Sequence, residues 1–437
     1  MKRLIARPLL FGRHLLPRLV MDLSNSRQVR WVFGVLATLA AALLRGRGER
    51  ARELLLGAHR TLLWSQLSDR PVVPQRIIEA HMLRHEIRFS APMVMAGDGN
   101  SPADLGLLAK RMIVLSAPAA DRSRKGVLLV MFTAQFVELT AALDLALLSR
   151  DYHLVLEPSY SGYADTAILQ FKQLAPAPVF VMATERRDFT FLERVGGNLI
   201  PVRLGSSDWV DPHTFTPLGG TKKRYDAIMV AGWERLKRHH ALFKAIAELN
   251  DPSYRFCLVG SSWRGSRREI EGLLAYYGLS GQAELHEKLT PAEVNRRFNE
   301  SGVNVLMTRR EGSNRSLFEG MFADVPALAL SSIIGPNLAW LNSEGGRLVE
   351  EDRLSEALVA FRGSPAGYRP RAWALEHISP VVSTQTLERA IARAVGSNAV
   401  MPLSVKVNAP ELKYLDASHS ESLPAADELI RRYAIGR

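Results

Sequence analysis

Two glutamates at the end of an apolar run stand among residues that suit a phosphorylated ligand. Glu311 and Glu319 are eight positions apart, and Gly312 directly follows the first of them. Glycine allows a backbone to approach a ligand closely, and the unpaired N–H groups at the start of a helix bind phosphate. The polar residues that come next are Ser313, Asn314, Arg315 and Ser316. The segment therefore predicts a diphosphate cradle with a carboxylate on each side, which suits a ligand with hydroxyl groups on both sides of a diphosphate, such as a nucleotide sugar.

A second cluster supplies positive charge. Arg235, Lys237 and Arg238 follow a predicted strand and Gly232. Cations together with a helix N-terminus can stabilise the negative charge of a phosphorylated ligand without a metal ion. A cation at a helix N-terminus is mildly unfavourable unless an anion lies nearby, so this cluster indicates an anionic ligand. The chain has no Asp-x-Asp sequence and a single cysteine, Cys257, so we expect no metal, no disulfide framework and no cofactor.

The elements that must position these residues alternate between strands and helices from about residue 110 onward. Such alternation is typical of βαβ units around a parallel sheet. A stretch rich in glycine and proline, 205–223, separates two runs of this kind. Strands are predicted at 112–116, 126–133, 153–158, 178–184, 199–204, 225–231, 254–259, 283–289, 303–307 and 327–330, and helices at 136–149, 165–174, 185–195, 237–249, 267–277, 291–300, 315–322 and 425–433.

The predicted organisation is an α/β fold with two facing Rossmann-like domains and an N-terminal helical extension. Open parallel sheets bind ligands at the carboxyl ends of their strands, so the cleft between the domains is the expected site. The predicted segments are a basic amphipathic extension (1–109), an N-terminal acceptor domain (110–215), a hinge (216–224), a C-terminal donor domain (225–395) and a tail with a closing helix (396–437).

The segment that begins at Glu311 resembles the motif of the retaining glycosyltransferases of family 4, which share the GT-B fold. Members of that family carry two glutamates with seven residues between them, then a helix of small residues and a Gly-x-Pro turn. Here Gly320 stands where alanine is usual, and Asp324 stands where the glycine of the turn is usual. The run Ala231–His239 is similar to the family's glycine loop and basic pair, with Trp233 where an arginine is usual.

The resemblance implies an enzyme that moves a sugar from a nucleotide-diphosphate sugar to a hydroxyl acceptor with retention of configuration and without a metal ion. It implies that Glu311 lies along the donor sugar and that Glu319 accepts the ribose hydroxyls. The amides of residues 314–316 would hold the diphosphate, and Lys237 would neutralise it, with Arg235 in place of the missing arginine. The alternatives are another activity of the same fold, such as a nucleotide-sugar epimerase, or an inactive fold that serves as a membrane scaffold.

The acceptor side is sought in a loop after the predicted strand 153–158. Tyr160, Ser161 and Tyr163 lie in this loop, and tyrosine offers a sugar both a ring face and a hydroxyl. The loop fits either acceptor binding or a plain turn.

The formal charge of +12 is concentrated in the first 60 residues, which hold twelve basic and three acidic side chains. The apolar run Trp31–Leu44 within them is shorter than the roughly 20 residues that span a bilayer. Basic residues interleaved with apolar ones are typical of an interfacial helix on anionic lipids, or of a helical extension packed on the body of the protein. We expect a cytoplasmic protein at the inner face of the cell membrane, active in bacterial surface polysaccharide or glycolipid synthesis. No nucleic-acid partner is expected, because aromatic residues show no stacking pattern.

Overall fold

The computed structural model describes residues 8–43, 54–55, 57–58, 61–62, 105–159, 165–262, 265–335, 338–362, 367–396, 401–408 and 412–435. The chain forms two compact units. The first unit comprises Ser26–Trp209 and Pro380–Arg437, and the second comprises Val210–Ser379 together with the residues up to Asn25. Each unit is built around its own sheet.

The first unit contains five strands that lie side by side in chain order. They are β1 (Met112–Ser116), β2 (Gly126–Met131), β3 (Tyr152–Glu157), β4 (Val179–Met182) and β5 (Leu199–Val202). Strands β2 to β5 are parallel, whereas β1 pairs with β2 in the antiparallel sense. Residues 117–125 join β1 to β2 without a helix, and a parallel pair needs a longer crossover. The sheet is therefore mostly, not wholly, the parallel sheet that the alternation predicts.

Helices cover the sheet of the first unit. They are Arg27–Leu43, Leu105–Ala109, Thr133–Ala142, Leu145–Asp151, Thr166–Leu169, Phe171–Leu174, Arg186–Val195, Pro380–Val395, His419–Ser422 and Ala426–Tyr433, with a 3₁₀ turn at Ser206–Trp209 and a two-stranded ladder of Lys406–Asn408 with Leu412–Tyr414. The predicted helix 136–149 is two helices, because Asp144 caps the second one by accepting a hydrogen bond from the Leu147 N–H at 2.9 Å.

The helix Pro380–Val395 belongs to the first unit, although its residues fall within the predicted donor domain 225–395. Its Thr384 hydroxyl accepts a hydrogen bond from the Trp209 indole at 3.2 Å, and its Ser383 hydroxyl donates to the Asp208 carbonyl at 2.6 Å. Leu387 and Ile391 are buried in the core of the same unit. The chain changes units at Ser26, Val210 and Pro380, and the last change occurs because this helix buries its apolar face on the first sheet.

The second unit contains six parallel strands in the order β11-β10-β9-β6-β7-β8. They are β6 (Tyr225–Val230), β7 (Phe256–Gly260), β8 (Ala283–Glu287), β9 (Ser301–Leu306), β10 (Ala327–Leu330) and β11 (Gly346–Val349). The order reverses between β6 and β9, so the loops that follow these two strands leave the sheet side by side. Such a reversal is where open α/β sheets bind their ligands.

Its helices are Leu16–Ser24, His239–Glu248, Arg267–Tyr277, Pro291–Asn299, Arg315–Phe322, Leu354–Ala360 and Pro370–Ile378, with a π turn at Phe11–Leu15 and 3₁₀ turns at Arg235–Lys237, Leu338–Trp340 and Glu351–Arg353. Two of the predicted helices, 267–277 and 315–322, have the observed bounds. The helix predicted at 237–249 is wrong at its start, because Arg238 has a left-handed backbone (φ +57°) that separates the 3₁₀ turn from the helix. The predicted fold class, α/β with two sheets and an N-terminal helical segment, is confirmed.

Two helices near the N-terminus show an unusual distribution of side chains. In Leu16–Ser24 the buried residue is an arginine, Arg18, while the leucines are exposed. In Arg27–Leu43 the fully buried residues are small, and Trp31 and Val35 are partly buried against the core of the first unit. Five other large apolar residues of this helix are exposed: Val32, Phe33, Leu36, Leu39 and Leu43. Within the described ranges, every helix is too short or too polar to cross a membrane.

Candidate active site

Lys237 and Glu311 meet at the carboxyl ends of the two central strands of the second unit. Lys237 ends the 3₁₀ turn that follows β6, and Glu311 lies in the loop that follows β9. The Lys237 Nζ donates to the Glu311 Oε1 at 2.5 Å, and both side chains are mostly but not wholly buried. A charge-assisted hydrogen bond of this length holds both groups in one geometry. The sequence places these residues 74 positions apart, and the reversal of strand order brings them together.

Arg238 does not take the ligand-facing place that the basic cluster predicts for it. Its side chain is only 2% exposed. Its guanidinium donates to Asp22, to the Met307 carbonyl at 3.1 Å and to Glu351 at 2.7 Å. The left-handed backbone at Arg238 turns this side chain into the interior, and all three of its partners belong to the protein. Arg238 is therefore a buried structural residue, not a donor ligand.

Trp233 and Arg235 are also committed to protein partners. The Trp233 side chain is fully buried against His239, and its indole N–H donates to Glu287 at 2.6 Å. Arg235 pairs with Glu269 at 3.3 Å and remains partly exposed. Trp233 therefore packs beneath the loop as a buried aromatic side chain and supplies no positive charge to a ligand. Among the three predicted cations, Lys237 is the one that the structure joins to a predicted carboxylate.

Asn314 is the N-cap of the helix Arg315–Phe322, which carries the predicted phosphate cradle at its start. The Asn314 Oδ1 caps it by accepting from the Leu317 N–H at 2.9 Å. The Ser316 hydroxyl donates to the Val230 carbonyl, the last residue of β6, at 3.0 Å. Gly312 and Ser313 lie between Glu311 and the cap, in the loop itself. The cap and the serine together fix the first turn of this helix beside the end of β6.

Glu319 lies in the second turn of that helix and is buried. Its carboxylate is 3.5 Å from the Arg315 Nε, one turn earlier. Burial raises the pKa of Glu319, and Arg315 opposes that shift. A buried carboxylate held on a rigid helix is suited to accept hydrogen bonds from ligand hydroxyls.

The two departures from the family motif each have a physical reason. A Cβ added to Gly320 would lie 2.6 Å from the Asn304 Nδ2, so alanine does not fit above that side chain. The Asn304 amide donates to the Ser316 carbonyl at 2.8 Å and is held there. Asp324 has φ +61°, the left-handed region that glycine favours and that aspartate tolerates better than most residues. Both substitutions therefore preserve the local backbone.

Gly335 is a contributor that the sequence analysis missed. It has φ +118°, and a Cβ there would overlap the Glu311 carbonyl oxygen sterically. The Glu311 N–H donates to the neighbouring Ile334 carbonyl at 2.9 Å. A glycine at 335 thus allows the loop after β10 to support the loop that carries Glu311. The sequence signal for Gly335 is the Gly-Pro pair that follows a predicted strand, but such a pair is also typical of an ordinary turn.

Tyr160, Ser161 and Tyr163, predicted on the acceptor side, lie outside the described residues, so their role stays a prediction. Among the residues that the structure does describe, no group of three or more His, Cys, Asp and Glu side chains is arranged to hold a metal ion.

Parts of the chain are similar to a known protein family and to solved structures. A family model described as "Glycosyl transferases group 1" matches residues 224–361, the sheet of the second unit with both loops. No curated protein matches the chain. Similar solved structures include sucrose-phosphate synthase from Thermosynechococcus elongatus, which is 17% identical, covers 61% of this chain and 74% of that chain, and has a TM-score of 0.48. HepE of Anabaena in complex with UDP-glucose is 14% identical over 61% of this chain and 78% of that chain, with a TM-score of 0.48.

Proposed function

We propose that this chain, whose residues 224–361 match the family model of the group 1 glycosyltransferases, moves a sugar with retention of configuration from a nucleotide-diphosphate sugar to a hydroxyl acceptor at an anionic membrane surface. The observation that carries the proposal is the Lys237–Glu311 pair at the reversal of strand order. It lies beside the N-terminus of the helix that carries Glu319.

The chemistry follows from where charge develops. As the bond between the sugar and the diphosphate breaks, the leaving diphosphate becomes more negative. Lys237 supplies a cation, and the first turn of Arg315–Phe322 supplies N–H dipoles for the same charge. Glu311 orients the lysine before the donor binds and afterwards lies along the sugar. Glu319 accepts the ribose hydroxyls.

UDP is the first nucleotide to test, since the similar structure of HepE is a complex with UDP-glucose. Calorimetry with UDP, GDP and ADP, followed by the matching nucleotide sugars, measures donor binding. Lys237→Met and Glu319→Ala should each weaken binding of the best nucleotide at least ten-fold. Lys244→Met is the matched control and should bind normally, because Lys244 is an exposed lysine on the following helix that pairs with Glu248 at 3.7 Å.

A chain that binds no nucleoside diphosphate would refute the proposal. Transfer with inversion, detected by NMR of the product anomer, would refute the retaining mechanism. Binding without transfer or donor hydrolysis would favour the scaffold alternative.

The membrane part of the proposal rests on the outward faces of the two N-terminal helices. In Leu16–Ser24, Leu19, Val20 and Leu23 are exposed, the last at 65%. In Arg27–Leu43, Phe33 and Leu36 are exposed at 59% and 55%. Large apolar side chains at helical spacing are normally buried. An anionic bilayer accounts both for these exposed faces and for the excess of arginine in the same segment.

Vesicle sedimentation tests this part. Leu23→Gln combined with Phe33→Gln should lower binding to vesicles of phosphatidylcholine and phosphatidylglycerol at least five-fold. Gln28→Ala, a polar exposed position on the second helix, is the control and should bind like wild type. Unchanged sedimentation of the double variant, or equal binding to vesicles of phosphatidylcholine alone, would contradict the proposal.

A further inference from the structure

The short helix Leu16–Ser24 lies against the loop that carries Lys237. Arg18 and Asp22 are four residues apart and therefore share one face of this helix. That face is directed at the 3₁₀ turn Arg235–Lys237, and both side chains are removed from solvent, Arg18 wholly and Asp22 to a side-chain exposure of 14%. A charged face turned inward needs specific partners to be stable.

Arg18 binds the backbone of the loop after β6. Its guanidinium donates to the Trp233 carbonyl at 3.2 Å and to the Glu234 carbonyl at 3.4 Å. It also lies 3.5 Å from Glu269, which balances its charge. These two carbonyls immediately precede the turn that holds Lys237. Arg18 therefore fixes the path of the loop as it leaves the strand.

Asp22 binds the other end of the same turn. Both of its carboxylate oxygens accept from the Arg238 Nε, at 2.9 and 2.8 Å, and one of them lies 3.0 Å from the His240 Nε2. Arg238 in turn donates to the carbonyl of Met307, which follows β9 directly. One carboxylate thus connects the N-terminal helix to the loops after both central strands.

Lys237 lies between the two positions of the loop that this helix holds, the carbonyls bound by Arg18 and the Arg238 side chain bound by Asp22. Because Arg238 has a left-handed backbone and points inward, Lys237 is turned the other way, toward Glu311. Without Asp22, Arg238 would keep only the Met307 carbonyl and the half-exposed Glu351. A strained left-handed residue persists only while its surroundings hold it.

We infer that Arg18 and Asp22 are positioning residues for the donor diphosphate: the N-terminal helix holds Lys237 in the orientation that meets the ligand's phosphates. The inference rests on the proposed function, since it takes Lys237 to bind a diphosphate. It makes residues 16–24 part of the donor site, although they precede the matched family region by about two hundred residues.

Asp22→Asn tests this, because it keeps the size of the side chain and removes its charge. The probes are the nucleoside diphosphate that the wild-type protein binds best among UDP, GDP and ADP, and the corresponding nucleoside. Asp22→Asn should lower the affinity for the nucleoside diphosphate at least ten-fold and the affinity for the nucleoside less than two-fold, because it disturbs only the contact of Lys237 with the phosphates. Ser24→Ala should change neither affinity, because the Ser24 hydroxyl is exposed and donates within its own helix, to the Met21 carbonyl.

A double-variant cycle separates positioning from a general loss of structure. In a Lys237→Met background, Asp22→Asn should cost less than two-fold in diphosphate affinity, because the group that it positions is gone. An equal loss in both backgrounds, or equal losses for nucleoside and diphosphate, would overturn the inference. If Asp22→Asn does not fold, Glu351→Gln, which weakens the hold on Arg238 from a half-exposed site, replaces it and should show a smaller loss of the same kind. A wild-type chain that binds none of the diphosphates would overturn the proposed function, and this inference with it.

Discussion

Replacement of Gly320 by alanine should destabilise the protein, although alanine is the better helix former. In a helix with free space, glycine to alanine gains about 1 kcal/mol. Here the new Cβ would lie 2.6 Å from the Asn304 Nδ2 and 3.2 Å from the Asn304 Cβ. Forcing a methyl group into a filled core costs about 1–3 kcal/mol, and displacing the amide from the Ser316 carbonyl costs about 1 kcal/mol more. The expected net loss is about 1–3 kcal/mol.

Thermal unfolding measures this effect. For a domain of roughly 150–250 residues, 1 kcal/mol shifts Tm by about 2–4 °C, so a loss of about 1–3 kcal/mol in Gly320→Ala should lower Tm by roughly 2–12 °C. The matched control is Gly12→Ala, in the π turn of the same unit, where a Cβ would meet nothing within 4 Å. That variant should raise Tm slightly.

The cycle with Asn304→Ala identifies the cause. In that background the amide is absent, so Gly320→Ala should cost at least 1 kcal/mol less than it does alone. A rise in Tm for Gly320→Ala, or additive effects of the two changes, would refute the reasoning. The helix would then carry glycine for a reason unrelated to Asn304.

Two further predictions concern the same helix and its end. Burial raises the pKa of Glu319, so at a pH above that pKa the buried carboxylate destabilises the folded state. Glu319→Gln should therefore raise Tm at pH 8. The gain should shrink as the pH falls and the wild-type carboxyl is protonated. A pH-independent gain in thermal unfolding would contradict this. Asp324 has φ +61°, so Asp324→Gly should keep Tm within a few degrees of wild type. Asp324→Val should lower the free energy of unfolding by about 1–3 kcal/mol and lower Tm accordingly. Equal effects of the two changes on Tm would exclude backbone strain as the cause.

The residues of the donor loop could be predicted because local rules determine them. The buried strand β9, the polar turn and the capped helix Arg315–Phe322 all follow from short-range patterns of burial and capping. The alternation of strands and helices also predicts five of the six strands of the second unit, whereas the short edge strand β11 is not predicted. The alternation does not predict that β1 is antiparallel; the sign of it in the sequence is the nine-residue connection to β2, which is shorter than a parallel crossover requires.

The orientation of the basic cluster could not be predicted in the same way. Arg235, Lys237 and Arg238 look equivalent as a charge run, yet one left-handed residue divides them into an inward and an outward group. The partner that holds Arg238 inward is Asp22, 216 positions away. No periodicity carries a contact of that separation. The sequence signal for a buried partner at Asp22 is that it is an isolated acidic residue within a basic segment.

The two faces of the helix Leu16–Ser24 change how the N-terminal segment must be tested. Deleting it would remove the apolar residues proposed to bind lipid, and with them Arg18 and Asp22, which bind the donor loop. A truncated chain would lose vesicle binding and donor binding together, and the result would not tell one role from the other. Single substitutions do separate them, because Leu23 points outward and Asp22 inward. The outer variants should change sedimentation with vesicles while leaving diphosphate affinity in solution unchanged, and Asp22→Asn should do the reverse. If both kinds of variant changed both properties, the helix would couple the membrane to the donor site instead of serving each one independently.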